Sequence, residues 1–212
     1  MTLDFSTILT TFALIFPAEL PDKTFIATLV LATRFPRRAV WLGVAAAFAA
    51  QTAIAVTAGG LLSLAPQRLV LGITFLLFTI GAFILIKGGL ASRSSERASE
   101  QAELDEVERD ERITHLPARP SFGMVFATSF SVLFAAEWGD LSQLLIAGMA
   151  ARTSMPVSVF LGSWLALITV AAAATMLGGY LSERIPIWRI RLVSGAIVSA
   201  LAVWTAVEFF QA

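Results

Sequence analysis

Long apolar runs dominate this chain, and a bundle of membrane-spanning helices is the fold that accommodates them. The hydrocarbon core of a bilayer is about 30 Å thick and takes roughly 20 apolar residues per helix. Hydrophobic residues make up 57% of the chain and charged residues only 14%, whereas soluble domains carry about 25% charged residues. We therefore predict an all-α membrane protein with six transmembrane helices, near 5–32, 38–64, 68–90, 121–150, 155–181 and 188–210.

The basic residues predict how these helices are oriented. Of the 15 Lys and Arg residues, twelve fall in the first, third and fifth connections, and only Arg68 and Arg152 fall in the connections on the other side. Because basic residues accumulate on the cytoplasmic side, we predict that both termini lie outside and that residues 91–120 are cytoplasmic. The preference for Arg over Lys, with many alanines, favours a bacterial inner membrane, with an organelle membrane as the alternative.

Residues 91–120 form the one polar stretch of the sequence. They combine many Glu, Asp and Arg residues with few apolar ones, a composition that cannot bury a core of its own. We expect a solvated acidic linker with at most a helical turn or two.

The first half of the chain recurs, with substitutions, in the second half. The stretches Ala18–Thr24 and Ala136–Ser142 lie 118 positions apart, each inside an apolar run, and Gly43 matches Gly162 after one inserted residue. Because each copy contains three helices, the second copy must enter the membrane from the opposite side. Inverted repeats are typical of secondary transporters, whose sites lie near the midplane. The predicted units are a three-helix repeat at 1–90, the linker at 91–120 and a second, inverted three-helix repeat at 121–212.

Both copies place carboxylates inside an apolar run, at Glu19 and Asp22 and again at Glu137 and Asp140. A charged side chain near the bilayer centre costs at least ~2.5–3.5 kcal/mol on insertion scales, so four of them indicate a function. Residues three apart share one face of a helix, and the repeat symmetry would bring the two faces together. We therefore predict that the four carboxylates form one shared metal-cation site.

Other residues of the two motifs suit such a site. Pro21 and Gly139 stand between the acids and break a helix, which frees backbone carbonyls to line a cavity. We expect Trp138, also between two acids, to shape or gate the site. The remaining supporting residues are Thr24, Ser142, Gln143 and Lys23.

The donor atoms of this predicted site are all oxygens. Oxygen donors suit hard divalent ions such as manganese, calcium or magnesium, and the chain has no cysteine and one histidine. Four carboxylates and Lys23 sum to −3, so we expect at least one carboxyl group to be protonated at rest. Competition between protons and metal for the same oxygens is the simplest basis for cation/proton antiport.

The duplicated motif resembles that of the Gdt-type family of manganese/calcium–proton exchangers. That family carries Glu-x-Gly-Asp-Lys/Arg-Thr/Ser in the first and fourth of six helices, with an acidic central loop. The resemblance covers essentially the whole chain and implies that Glu19, Asp22 and Thr24, with their counterparts in the second half, form the cation site. Two positions depart from the pattern: Pro21 replaces Gly in the first copy, and Leu141 replaces Lys or Arg in the second.

The predicted function is therefore exchange of a divalent cation, manganese first and calcium next, for protons, with export from the cytoplasm. A small-molecule exporter of the amino-acid type and an intramembrane aspartyl protease using Asp22 and Asp140 are the alternatives. We expect no enzymatic activity, no cofactor other than the transported cation and no nucleic-acid partner; the ligands are the bilayer, the cation and protons, and the oligomeric state is left open. We also expect Gln51 to hydrogen-bond between helices, in preference to contacting the ion, and Glu208 to be solvated.

Overall fold

The computed structural model of the chain describes residues 3–19, 23–108, 113, 117, 120–153, 155–184 and 187–211. Within these ranges every regular element is a helix. The helices are α1 (Phe5–Glu19), α2 (Lys23–Arg34), α3 (Arg37–Leu62), α4 (Gln67–Glu108), α5 (Phe122–Ala136), α6 (Leu141–Thr153), α7 (Pro156–Arg184) and α8 (Ile187–Gln211).

Three described helices are long and apolar enough to cross a membrane unaided: α3, the Gln67–Leu90 part of α4 and the Pro156–Met176 part of α7. The pair α5 and α6 makes a fourth candidate, bent by 76° at its break. The described parts of the first and last predicted segments, in α1, α2 and α8, are apolar but shorter. The protein is thus an all-helical membrane protein with three clear candidate spans, or four if the bent pair counts as one.

The linker differs from its prediction. Helix α4 is 42 residues long and continues from the apolar segment to Glu108, so more than half of residues 91–120 is helical. The stretch is rich in Ala, Glu, Arg and Gln, which have high helix propensity, and the helix therefore needs no apolar face to continue. Ile113 is buried and belongs to the hydrophobic core cluster, so the linker is not solvated throughout.

Helices α3 and α7 lie at the centre of the bundle. Helix α3 packs against α5, α6 and α7, while α7 packs against α1, α2 and α3. Two indole N–H groups join the central pair: Trp41 Nε1 donates to the carbonyl of Ile168 at 3.2 Å, and Trp164 Nε1 donates to the carbonyl of Ala45 at 3.0 Å. Each indole thereby satisfies a buried donor across the interface.

Matching glycines, one in each half of the chain, each allow a close helix crossing. A Cβ added at Gly43 in α3 would lie 2.9 Å from the Cβ of Ser129 in α5. A Cβ added at Gly162 in α7 would lie 3.0 Å from the Cβ of Thr11 in α1. Small residues of this kind let helix backbones approach closely in membrane proteins. The glycines of the two crossings are 119 positions apart, and Thr11 and Ser129 are 118 positions apart, which matches the offset of the sequence repeat.

Candidate functional site

The second carboxylate motif forms a break between two helices. Helix α5 ends at Ala136 and α6 begins at Leu141, with Glu137 as the C-cap of α5. Gly139 has φ +77°, a left-handed conformation that glycine adopts without a Cβ penalty. The predicted helix break at Gly139 is therefore present, and it turns the chain by 76°.

The break changes how the two acids of this motif are related. Glu137 and Asp140 do not share one face of a continuous helix, because Glu137 closes α5 and Asp140 immediately precedes α6. The amide of Asp140 donates to the carbonyl of Glu137 at 3.1 Å, which closes the turn between them. Glu137 is only 2% exposed, whereas Asp140 is partly exposed.

Each buried glutamate accepts a hydrogen bond from a hydroxyl five residues later. Thr24 Oγ1 donates to Glu19 Oε1 at 3.0 Å, and Ser142 Oγ donates to Glu137 Oε2 at 3.4 Å. All four side chains are buried, with Glu19 1% exposed. In both halves the carboxylate stands at the end of one helix and the hydroxyl in the first turn of the next. The two glutamate–hydroxyl pairs therefore share one arrangement.

Part of the predicted site lies outside the described residues. Pro21 and Asp22 are not described, and Lys23 is described only as the first residue of α2. Among the residues that are described, no group of three or more His, Cys, Asp or Glu side chains is arranged to hold a metal ion. The predicted set of four carboxylates thus stays a prediction.

Two other predicted residues lie at the break with distinct contacts. Gln143 accepts the amide N–H of Gly139 on its Oε1 at 3.2 Å, so this side chain braces the turn with the oxygen predicted to be a cation donor. Trp138 is 65% exposed and packs on Phe134 with ring centroids 5.5 Å apart. Its predicted gating role stays a prediction.

Gln51 reaches this break from helix α3. The amide of Trp138 bonds to the carbonyl of Ala135 at 3.3 Å, which leaves the carbonyl of Phe134 without the helical donor four residues on. Gln51 Nε2 supplies the missing donor at 2.6 Å. The prediction of an interhelical hydrogen bond is confirmed, but its acceptor could not be foreseen, because the two residues are 83 positions apart.

The sequence suggested that Glu208 is solvated, but the structure places it in an ion pair. Arg152 in α6 forms an ion pair with Glu208 in α8 at 2.9 Å and also donates to Thr205 Oγ1 at 3.2 Å. Trp204 Nε1 donates to the same carboxylate at 2.6 Å, and the guanidinium lies 6.0 Å from the Trp204 ring centroid. This network ties the end of α6 to the end of α8.

Comparison with known proteins places the chain in one family. The family described as "Divalent cation/proton antiporter GDT1" matches residues 7–93 and 125–212. No solved structure matches the chain significantly.

Curated relatives from a cyanobacterium and from plants carry the name of the same family. The GDT1-like protein sll0615 of Synechocystis is 31% identical over 202 residues, which cover 92% of this chain and 95% of the relative. GDT1-like protein 5 of Arabidopsis thaliana is 34% identical over 195 residues, covering 82% and 85% of the two chains. A chloroplastic GDT1-like protein 1 of rice is 29% identical over 93% of this chain and 60% of its own length. These matches show that the chain belongs to the GDT1 family of divalent cation/proton antiporters.

Proposed function

We propose that this protein exchanges manganese, or next calcium, for protons at a single site shared by two inverted halves. Its family makes it a divalent cation/proton antiporter and not an enzyme, which sets aside the aspartyl-protease and small-molecule-exporter alternatives. The transported cation is the cargo, and no resident cofactor is needed. We further propose six spans, with both termini outside, residues 91–120 in the cytoplasm and the protein in a bacterial inner membrane.

The observation that carries this proposal is the matched pair of buried carboxylates, Glu19 and Glu137. A carboxylate sealed from water in an apolar bundle is unfavourable unless a cation, a proton or a hydrogen-bond donor compensates its charge. Each glutamate accepts a hydrogen bond from a hydroxyl group, on Thr24 or Ser142. Two such arrangements in one chain are difficult to explain as structural coincidence.

Symmetric packing supports the inverted repeat. Helix α3 of the first half packs against α5 of the second, as α7 of the second half packs against α1 of the first. The glycine contacts repeat with the same pairing, Gly43 on Ser129 and Gly162 on Thr11. The two stretches matched by the family, residues 7–93 and 125–212, also leave out the linker between the halves.

The hydroxyl–carboxylate pairs suit an exchange of protons for a metal ion. A hydroxyl group both donates and accepts hydrogen bonds, so Thr24 can donate to ionised Glu19 and accept from it when Glu19 carries a proton. The same holds for Ser142 and Glu137. The hydrogen bond of each pair can therefore persist in the protonated state, and a divalent cation would displace the proton and bind the carboxylate oxygens. Asp22 and Asp140 are proposed to complete the donor set.

Alternating access then follows from the two halves moving about the shared site. Both glutamates are closed off from solvent in this conformation, so opening toward either face requires movement of the helices around them. With protons more concentrated outside, their entry would drive the metal out of the cytoplasm. Carboxylate and hydroxyl oxygens favour manganese or calcium over softer ions.

The test is metal flux in proteoliposomes with an imposed pH gradient, measured for manganese and calcium with a pH dye inside. Wild type is expected to move metal with opposite proton flux, and the faster ion identifies the substrate. Glu19→Gln, Asp22→Asn and Glu137→Gln are each expected to abolish flux in folded protein. Glu208→Gln is the matched control, because it makes the same change outside the site and should leave flux intact.

Normal flux in Glu19→Gln or Glu137→Gln would overturn the assigned site. If folded wild type moves neither metal, the proposal of manganese or calcium exchange is wrong.

A further inference from the structure

We propose that Gln51 Oε1 is an additional oxygen ligand of the transported cation, supplied by one half of the protein only. This inference rests on the proposed cation site and adds to it a neutral donor that belongs to neither carboxylate motif. It starts from an incompletely satisfied amide at the helix break.

The Gln51 side chain is fully enclosed and fixed in orientation. It is 2% exposed, and its Nε2 donates to the carbonyl of Phe134 at 2.6 Å. That carbonyl belongs to the last turn of α5, which is capped by Glu137. The amide group of Gln51 therefore lies beside the turn on which the second carboxylate motif is built.

The other end of the same amide is unsatisfied. Within the described part of the chain, Gln51 Oε1 is buried and has no hydrogen-bond donor. A buried polar oxygen without a partner is unfavourable and is rare in native structures. A bound cation would compensate it, since amide oxygens are ordinary ligands of hard divalent ions.

Rotation of the Gln51 amide would not give its oxygen a hydrogen-bond donor. If Nε2 and Oε1 exchanged places, the oxygen would face the carbonyl of Phe134, and two acceptors would repel each other. The hydrogen bond to Phe134 therefore determines which end of the amide is left for a ligand. The carbonyl is available only because the chain breaks after α5 and the Trp138 amide bonds elsewhere.

The equivalent position in the second half carries no such group. The position equivalent to Gln51, after the 119-residue offset, is Val170, and the position equivalent to Phe134 is Phe16. Val170 is buried and clusters with Phe25 and Ala174, with Phe16 packed against them. The same location is therefore apolar in one half and carries an amide in the other. The proposed cation site is thus asymmetric, with this amide oxygen on the α3 side.

Two substitutions separate a ligand from a purely structural hydrogen bond. Gln51→Leu keeps the approximate volume but removes both the donor and the oxygen. Gln51→Glu keeps oxygen atoms but loses the amide donor to Phe134. Thr57→Val is the matched control, because Thr57 is exposed on the same helix and bonds only to the carbonyl of Ala53 in its own helix.

The measurement is the manganese-dependent rise in melting temperature of the purified full-length protein, titrated to obtain an affinity, with calcium titrated in parallel. Gln51→Leu is expected to weaken manganese binding ~10-fold or more. Gln51→Glu should bind more tightly than Gln51→Leu, and Thr57→Val should match wild type. Melting in the absence of metal shows whether each variant is folded.

Three results would overturn the inference, and they are distinguishable. Wild-type affinity in Gln51→Leu would show that the amide is not needed for the cation. Equal weakening in Gln51→Leu and Gln51→Glu would show that only the donor to Phe134 matters. If wild type binds neither metal, the proposed function itself fails, and the ligand assignment fails with it.

Discussion

Alanine in place of Gly43 tests the close crossing of α3 and α5. A Cβ at this position would lie 2.5 Å from the carbonyl oxygen of Phe126 and 2.9 Å from the Cβ of Ser129. Non-bonded heavy atoms are optimally separated by about 3.5–4.0 Å, so the helices would have to separate by about 1 Å. Overpacking of this kind typically costs about 1–3 kcal/mol.

Gly60 provides the matched control on the same helix. No described atom lies within 4 Å of a Cβ added there, so Gly60→Ala should gain the ~1 kcal/mol of helix propensity without a clash. Both substitutions add the same methyl group to α3, and the difference between them therefore isolates the crossing. Gly162→Ala, which meets Thr11 at 3.0 Å, should be destabilised in the same way as Gly43→Ala.

The assay is thermal unfolding of the purified variants in one detergent. About 1 kcal/mol shifts the melting temperature by about 2–4 °C in a chain of this size. Gly43→Ala should therefore melt several degrees below Gly60→Ala. Equal melting temperatures for these two variants would refute the close approach of α3 and α5.

Three further experiments address the break, the ion pair and the start of the first helix. Gly139→Ala should destabilise by about 1–2 kcal/mol, because a Cβ is strained at φ +77°; melting no lower than wild type would contradict that conformation. A double-mutant cycle with Arg152→Met and Glu208→Gln should give a coupling of about 0.2–1 kcal/mol, since both side chains are partly exposed, and zero coupling would count against the pair. The hydroxyl of Thr7 holds the pKa of Asp4 below its usual value of 3.8. The hydrogen bond between them therefore stabilises the fold above that pH, and this stabilisation is lost as the pH falls through the lowered pKa. The stability advantage of wild type over Thr7→Val should accordingly be constant above about pH 5 and shrink in acid, and an advantage that grows in acid would contradict the assignment.

Sequence alone predicted the features that depend on spacing along the chain. The 118-residue offset located both carboxylate motifs, and Gly139 between two acids located the break between α5 and α6. Four of the six apolar runs correspond to the candidate spans, one of them as the bent pair. Each of these signals lies in the order of residues along the chain and needs no knowledge of contacts in space.

Features that depend on contacts between distant residues could not be predicted in the same way. The acceptor of Gln51 is a carbonyl that becomes free only because the α5 helix ends where it does. Glu208 resembles any polar residue near a helix end until α8 packs beside Arg152. Low hydrophobicity predicts a linker after the apolar part of α4, whereas the helix propensity of the same residues favours continuation to Glu108.

Counting bound manganese tests most directly whether the two halves build one site. Equilibrium dialysis or electron paramagnetic resonance of the purified protein would give the number of ions per chain for wild type, Glu19→Gln and Glu137→Gln. A shared site predicts one ion per wild-type chain and loss of that ion in either variant. Two ions per wild-type chain, with one retained in each variant, would mean that each half holds its own cation and would contradict the shared site.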